Sequence, residues 1–148
     1  MQTALATNVS ETISTNTTWT LTGSPYIVTS SITIQTGVTL TIETGVTVKF
    51  NDSYYLYVNG TLNADNVTFT SSNASPAAGK WGYFQIGNST YSGTANISNS
   101  LVQYAQKFHV ENGTATLTNT NISNCSLDGI VVTNKVILNM TGWNISNV

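Results

Sequence analysis

The chain contains no arginine, one cysteine, two prolines and only ten charged residues among 148, or 7%, against roughly 25% in ordinary soluble proteins. Each shortage excludes something. Without arginine, and with a net charge of −2, the chain lacks the cationic footprint that nucleic-acid binding requires. The single cysteine, Cys125, forbids an intrachain disulfide and reads as a small buried apolar residue. The single histidine, His109, has no neighbour in sequence that suggests a catalytic pair. No apolar run approaches the roughly 18 residues of a transmembrane helix, so no membrane span is expected. The opening residues, Met1-Gln-Thr-Ala, have neither the basic nor the apolar region of a signal peptide, so any export signal is expected to have been removed.

What abounds is polar and uncharged. There are 26 Thr, 16 Ser and 18 Asn, together 60 residues. These types favour turns, caps and strands over helix interiors, which excludes a helical bundle. Apolar residues still make up 40% of the chain, enough for a core.

The apolar residues recur with a period. Four segments share an apolar residue followed five positions later by Val or Ile: Leu62/Val67, Ile97/Val102, Leu117/Ile122 and Met140/Ile145. Ile42 and Val46 fit more loosely. The second anchors are 21, 35, 20 and 23 residues apart, a solenoid repeat with one longer insertion near residues 70–93. Within each repeat the pattern alternates, as in Val38, Leu40, Ile42 and then Val46, Val48, Phe50, with Thr in the outward positions. Gly37, Gly45, Gly60, Gly93 and Gly113 punctuate corners, two of them inside Asn-Gly pairs that tolerate positive φ. These features predict an all-β fold, a right-handed parallel β-helix of five or six coils with roughly 20–23 residues per coil. Asn at equivalent corners is expected to form side-chain ladders. Residues 1–18 read as a polar N-terminal arm or cap, with Trp19 and Leu21 plugging the first coil, and 19–148 as one domain.

The run Trp19-Thr-Leu-Thr-Gly-Ser-Pro-Tyr-Ile-Val-Thr-Ser-Ser-Ile-Thr-Ile-Gln-Thr-Gly-Val-Thr-Leu-Thr-Ile-Glu-Thr-Gly-Val-Thr-Val-Lys-Phe50 resembles the opening coils of right-handed parallel β-helix surface proteins of bacteria and archaea. Val58-Asn-Gly-Thr-Leu62, Val67-Thr-Phe-Thr-Ser71 and Gly79-Lys-Trp-Gly82 resemble the coil that follows there. The likeness spans about residues 19–105. It implies a pectate-lyase-like fold without catalysis, in a group that includes adhesins, surface-layer components and enzymes. The chain has Thr44 where many relatives have Pro.

An enzyme is not expected. Glycoside hydrolysis needs two carboxylates about 5–9.5 Å apart, whereas Glu11, Glu43, Asp52, Asp65, Glu111 and Asp128 are scattered singly. A lyase-like site would need clustered acids for calcium and an arginine as base, and there is no arginine. No cofactor or metal is expected either.

The surface carries three signals. Asn-x-Ser/Thr occurs 13 times, at Asn8, Asn16, Asn51, Asn59, Asn66, Asn73, Asn88, Asn96, Asn112, Asn121, Asn124, Asn139 and Asn144. A shuffled chain of this composition would carry about 5, so the excess points to N-linked glycans and an extracellular or cell-surface location. Occupancy is expected at corners such as Asn59, Asn73, Asn88 and Asn112, while Asn66, Asn121 and Asn144 share one offset and the last two, on adjacent coils, crowd each other. Alternation turns Tyr55, Tyr57, Trp81 and Tyr83 outward on neighbouring coils, where the inserted loop 71–80 is expected to fold over them as a satellite cluster, the alternatives being an interface for a protein or for a polysaccharide. Thr-x-Thr occurs at Thr39/Thr41, Thr68/Thr70 and Thr114 to Thr120, the spacing of ice-binding faces, but at different offsets from the anchors. Finally, a β-helix needs capped ends. The last coil has no cap in its sequence, which suggests head-to-tail self-association. The functional expectation is a glycosylated structural protein of a cell-surface layer, adhesin or filament, with a carbohydrate-binding module as the alternative and an ice-binding face third.

Overall fold

The computed structural model describes residues 5–148. The chain winds as a parallel β-solenoid, and every turn visits three sheets in the same order, A, B, C. The first turn has β1 (Thr7–Val9) on sheet A, a single bridge at Ile13 beside sheet B and β2 (Thr17–Trp19) on sheet C. The second has β3 (Tyr26–Val28), β4 (Ile32–Ile34) and β5 (Thr39–Ile42). The third has β6 (Thr47–Phe50), β7 (Leu56–Val58) and β8 (Thr61–Asp65), and the fourth β9 (Thr68–Ser71), β10 (Trp81–Ile86) and β11 (Gly93–Ser98). The fifth has β12 (Leu101–Gln103), β13 (Ala105–Val110) and β14 (Gly113–Thr118). The sixth has β15 (Asn121–Ser123), β16 (Ile130–Val132) and β17 (Val136–Thr141), and β18 (Asn144–Ser146) follows on sheet A. Six turns, all strands parallel, bear out the expected architecture. Residues 7–18 of the expected arm lie in this stack, with β1 paired to β3 and β2 to β5. Residues 1–4 of that arm lie outside the described residues.

Alternation builds the core. Along β5 and β6 the residues Leu40, Ile42, Val48 and Phe50 are buried, while Thr39, Thr41, Thr47 and Lys49 face out. Each buried residue stacks on its equivalent in the next turn. On sheet A the file reads Tyr26, Val48, Phe69, Val102, Ile122, Ile145, and on sheet B Ile32, Leu56, Phe84, Phe108, Ile130. The predicted anchors Ile97/Val102, Leu117/Ile122 and Met140/Ile145 stack on each other as expected. Leu62/Val67 does not. Leu62 stacks on Ala95, and the partners of Ile97 and Val102 one turn earlier are Ala64 and Phe69. Both Leu62 and Val67 are buried, so the sequence offered two equally apolar registers two residues apart. Trp19 is buried and stacks on Tyr26 with ring centroids 4.8 Å apart, but Leu21 is exposed on a 3-10 turn and plugs nothing.

The corners explain the asparagine. Where sheet C turns into sheet A, the left-handed position is held in successive turns by Gly45, Asn66, Asn99, Asn119 and Gly142, all at positive φ. Asn reaches this region at little cost because its short amide satisfies nearby backbone. The amides also bond from turn to turn, as Asn119 Nδ2 to Asn99 Oδ1 at 3.2 Å and, at another corner, Asn147 Nδ2 to Asn124 Oδ1 at 3.3 Å. Where sheet B turns into sheet C, glycine is required for a different reason. Gly93 pairs with Gly113, and a Cβ on Gly93 would run into the Val58 carbonyl of the turn before. The insertion is two loops, Ser72–Lys80 and Gly87–Ser92, separated by β10.

Two substitutions test this packing. Ile122→Asp places an uncompensated charge in the core, so thermal denaturation should show a loss of several kcal/mol. If it melts like the parent, the sheet A file is wrong. Gly93→Ala should be nearly as harmful although it adds one methyl, because backbone rather than a movable side chain stands in the way. Melting within about 1 °C of the parent would rule out the close approach of turns at that corner.

Candidate functional site

Cyclic winding sorts the outward residues into three faces of different chemistry. Sheet B carries a tyrosine cluster together with Lys107 and His109. Thr33, Tyr57, Gln85, His109 and Val131 form one line across its five strands, and Tyr83 pairs with Lys107 on the next. Tyr55 stacks on Tyr57 at 5.6 Å and meets Tyr83 edge-on at 4.7 Å. The Lys107 ammonium lies 5.0 Å above the Tyr83 ring, on the face that attracts a cation. Partial burial, with the neighbouring tyrosines second, raises the Tyr57 and Tyr83 hydroxyls above their ordinary range, so both stay protonated donors. Partial burial, then the Lys107 charge, lowers the His109 imidazole, which favours its neutral form at pH 7. Its Nε2 lies 3.0 Å from the Thr133 hydroxyl. Gln85 donates to Glu111 at 2.8 Å.

Trp81 corrects the sequence reading. Of the four aromatics expected to face out, Tyr55, Tyr57 and Tyr83 are half-exposed, but Trp81 is fully buried. Its ring lies flat on Phe50 at 4.1 Å and edge-on to Phe84 at 5.6 Å, and its indole N–H donates to the Gln103 carbonyl at 2.8 Å. Alternation fails there because Trp81 and Gly82 are both buried where the chain enters β10 from the loop. The Gly82 amide donates to the Tyr54 carbonyl, and any side chain at Gly82 would strike the Tyr55 ring. The glycine beside the tryptophan was the available signal. The preceding loop leads away from the tyrosines, since the Gly79 amide bonds to Ala105 and its Cα lies against Ser126.

Sheet C carries hydroxyls and carboxamides. Thr39, Thr61, Thr94, Thr114 and Ile137 form one line, and Thr18, Thr41, Asn63, Asn96, Thr116 and Asn139 the next. Thr39/Thr41 and Thr114/Thr116 thus share one register in space, contrary to their sequence offsets, because those were measured from the misplaced anchor and across corners of unequal length. Thr68/Thr70 belongs to sheet A instead. The hydroxyl lattice is interrupted by asparagines that bond one another, as Asn96 Nδ2 to Asn63 Oδ1 at 2.9 Å. At the adjacent corner Asp65 accepts from Ser98 at 2.6 Å and Asn99 at 2.7 Å, and these bonds lower its carboxyl below the usual range. No group of three or more His, Cys, Asp or Glu side chains able to hold a metal occurs among the described residues. No described helix is long and apolar enough to cross a membrane.

The sequon asparagines all lie outside the buried class. Asn8, Asn16, Asn66, Asn73, Asn96, Asn139 and Asn144 are exposed, and Asn51, Asn59, Asn88, Asn112, Asn121 and Asn124 half-buried. Asn121 and Asn144 are in register on adjacent turns, as expected. Asn66 is not in their line, because it occupies the left-handed corner with Asn99. Asn59, Asn88 and Asn112 stack at one corner and use their amides there, Asn88 Nδ2 to Asn59 Oδ1 at 3.3 Å and Asn112 Nδ2 to the Asn88 carbonyl at 3.2 Å. Comparison of the chain with protein families, curated proteins and solved structures finds no match.

Trp81→Ala should cost about 3–5 kcal/mol in denaturant unfolding, and Tyr57→Ala only about 1 kcal/mol. Equal costs would mean that Trp81 does not fill the core. Cys125 is buried, its thiol bonded to the Ser123 carbonyl at 3.8 Å, and burial pushes its pKa up to about 11. Alkylation at pH 8 should therefore be negligible until the protein is denatured. Rapid labelling of the folded chain would contradict that burial.

Proposed function

We propose that this chain is a structural module of an extracellular surface glycoprotein, of the kind found in surface layers, adhesins or filaments of bacteria or archaea. The display of its sequons is the observation that carries the reading. Thirteen acceptor asparagines are spread over sheets A and C, the corners and the loops, with none on sheet B, and none is in the core. A rigid stack held by backbone pairing tolerates this, because outward residues contribute little to its stability. The low charge suits a surface whose solubility comes from attached sugar rather than from ionised groups. The likeness of residues 19–105 to β-helix surface proteins supports the same assignment, and the scattered carboxylates favour a scaffold over a catalyst.

The geometry also ranks the sequons. Glycan transfer uses Nδ2, which at the exposed Asn73 in the loop and at the exposed Asn8, Asn16 and Asn66 has no hydrogen-bond partner among the described residues. It is engaged at Asn88, Asn96 and Asn112. Peptide mapping of native material by mass spectrometry should find glycans at the first group and few at Asn88, Asn96 and Asn112. Native protein with every sequon bare would overturn the surface-glycoprotein reading.

The tyrosine face favours a second reading, a module that holds polysaccharide. Tyr57→Ala with Tyr83→Ala should then abolish retention on an immobilised polysaccharide while the solenoid stays folded at the assay temperature. Retention equal to the parent would dismiss it.

A further inference from the structure

Sheet B departs from the composition of the rest of the chain. Its 21 strand residues include one Ser, Thr or Asn, Thr33, whereas the 23 strand residues of sheet A include 10 and the 30 of sheet C include 14. Parallel pairing does not require this difference. Threonine suits any outward position on a pleated face, and sheets A and C use it freely. Sheet B instead shows long side chains that carry rings, amides and a cation, and it has no glycan acceptor on its strands. Enrichment in tyrosine with loss of serine marks surfaces that meet a partner.

The layout gives this face a direction. Tyr57, Gln85 and His109 rise along the solenoid axis in one line, about 4.8 Å from one turn to the next. Tyr83 and Lys107 stand beside that line, and Tyr55 packs against Tyr57 and Tyr83. Neither the Tyr57 nor the Tyr83 hydroxyl has a hydrogen-bond partner among the described residues, so both are free to donate to a ligand. Ring surfaces attract the weakly positive C–H groups of a sugar.

Size and charge narrow the occupant. The patch crosses three strands, roughly 10 Å along the axis, and β10 and β13 are each six residues long, roughly 20 Å, so it offers on the order of 200 Å². A stable protein interface needs about 800 Å² from each partner, whereas a polysaccharide is one sugar ring wide. The charges are already matched within the patch. The Lys107 ammonium lies on the Tyr83 ring, Glu111 accepts from Gln85 and Asn134, and His109 is held toward its neutral form. No unmatched cation is left for an acidic sugar. We infer that sheet B is the ligand face of this module and that its ligand is an uncharged polysaccharide laid along the solenoid axis over Tyr57, Gln85 and His109. The inference rests on the polysaccharide reading given above and adds to it the charge class and the direction of the chain.

Affinity electrophoresis of the unglycosylated protein tests it. Native gels are cast with uncharged polymers (a β-glucan, a mannan, a galactan and dextran) or with the polyanions polygalacturonate and alginate. At least one uncharged polymer should retard the protein, and neither polyanion should. The affinity should change less than about twofold between about 50 and about 500 mM salt, because screening has no charge pair to act on. Gln85→Ala should weaken binding at least tenfold, and Thr116→Ala on sheet C should leave it unchanged. Thr33 continues the line one turn beyond Tyr57, so Thr33→Tyr should tighten binding severalfold, while Thr41→Tyr on sheet C should not. Retardation by the polyanions alone, or a tenfold loss with salt, overturns the inference and leaves the polysaccharide reading standing. No gain from Thr33→Tyr, or the same gain from Thr41→Tyr, overturns the direction of the chain. No retardation by any polymer removes both the inference and the reading it rests on, and leaves the face to a protein.

Discussion

The structure depends on one constraint, in-register parallel pairing between successive turns. Each strand inside a sheet donates and accepts along both edges, so every turn must place the same class of residue at the same point as the turn beneath. The consequence is visible in files. Phe84 sits on Leu56 and Phe108 on Phe84, while Thr94 sits on Thr61 and Thr114 on Thr94. A one-residue slip would exchange inside and outside for a whole strand, so the register is held most firmly where one face is apolar and the other polar.

Corners must close under the same constraint, and they do so in two ways. Asn66, Asn99 and Asn119 take the left-handed conformation, and Asn99 and Asn119 tie the turns together through their amides. Gly93 and Gly113 serve where backbones approach too closely for any side chain. The high asparagine content is therefore partly structural. Several sequons share residues with this corner machinery, and that is why acceptor sites differ in what a glycan would cost them. Asn121 shows the tension most plainly: its Oδ1 is buried with no hydrogen-bond partner, although the residue begins a sequon.

Pairing also divides the outer surface by chemistry. Sheet B gathers Tyr55, Tyr57, Tyr83, Lys107 and His109 from three turns, while sheet C gathers threonines and asparagines from six strands. The tyrosine face is largely self-satisfied, with rings packed on one another and the lysine on a ring.

Sequence alone determined the solenoid. Period-2 alternation, a repeat near 21 residues and glycine or asparagine at regular corners admit few other folds, because each is a local requirement of short strands stacked in turns. It also determined that Tyr55, Tyr57 and Tyr83 face out, since alternation along a strand needs no knowledge of neighbours. The tertiary structure decided what depends on contacts between turns. Leu62 and Ala64 are both apolar and inward, and only pairing with β11 shows that Ala64 is the partner of Ile97. Trp81 follows the alternation on paper, yet the corner at Gly82 turns it into the core against Phe50. Thr39 and Thr114 share a line only in space, because the loops between them differ in length. The sheet on which the last turn finishes was equally beyond sequence reading, since it follows from strand pairing accumulated along the whole stack.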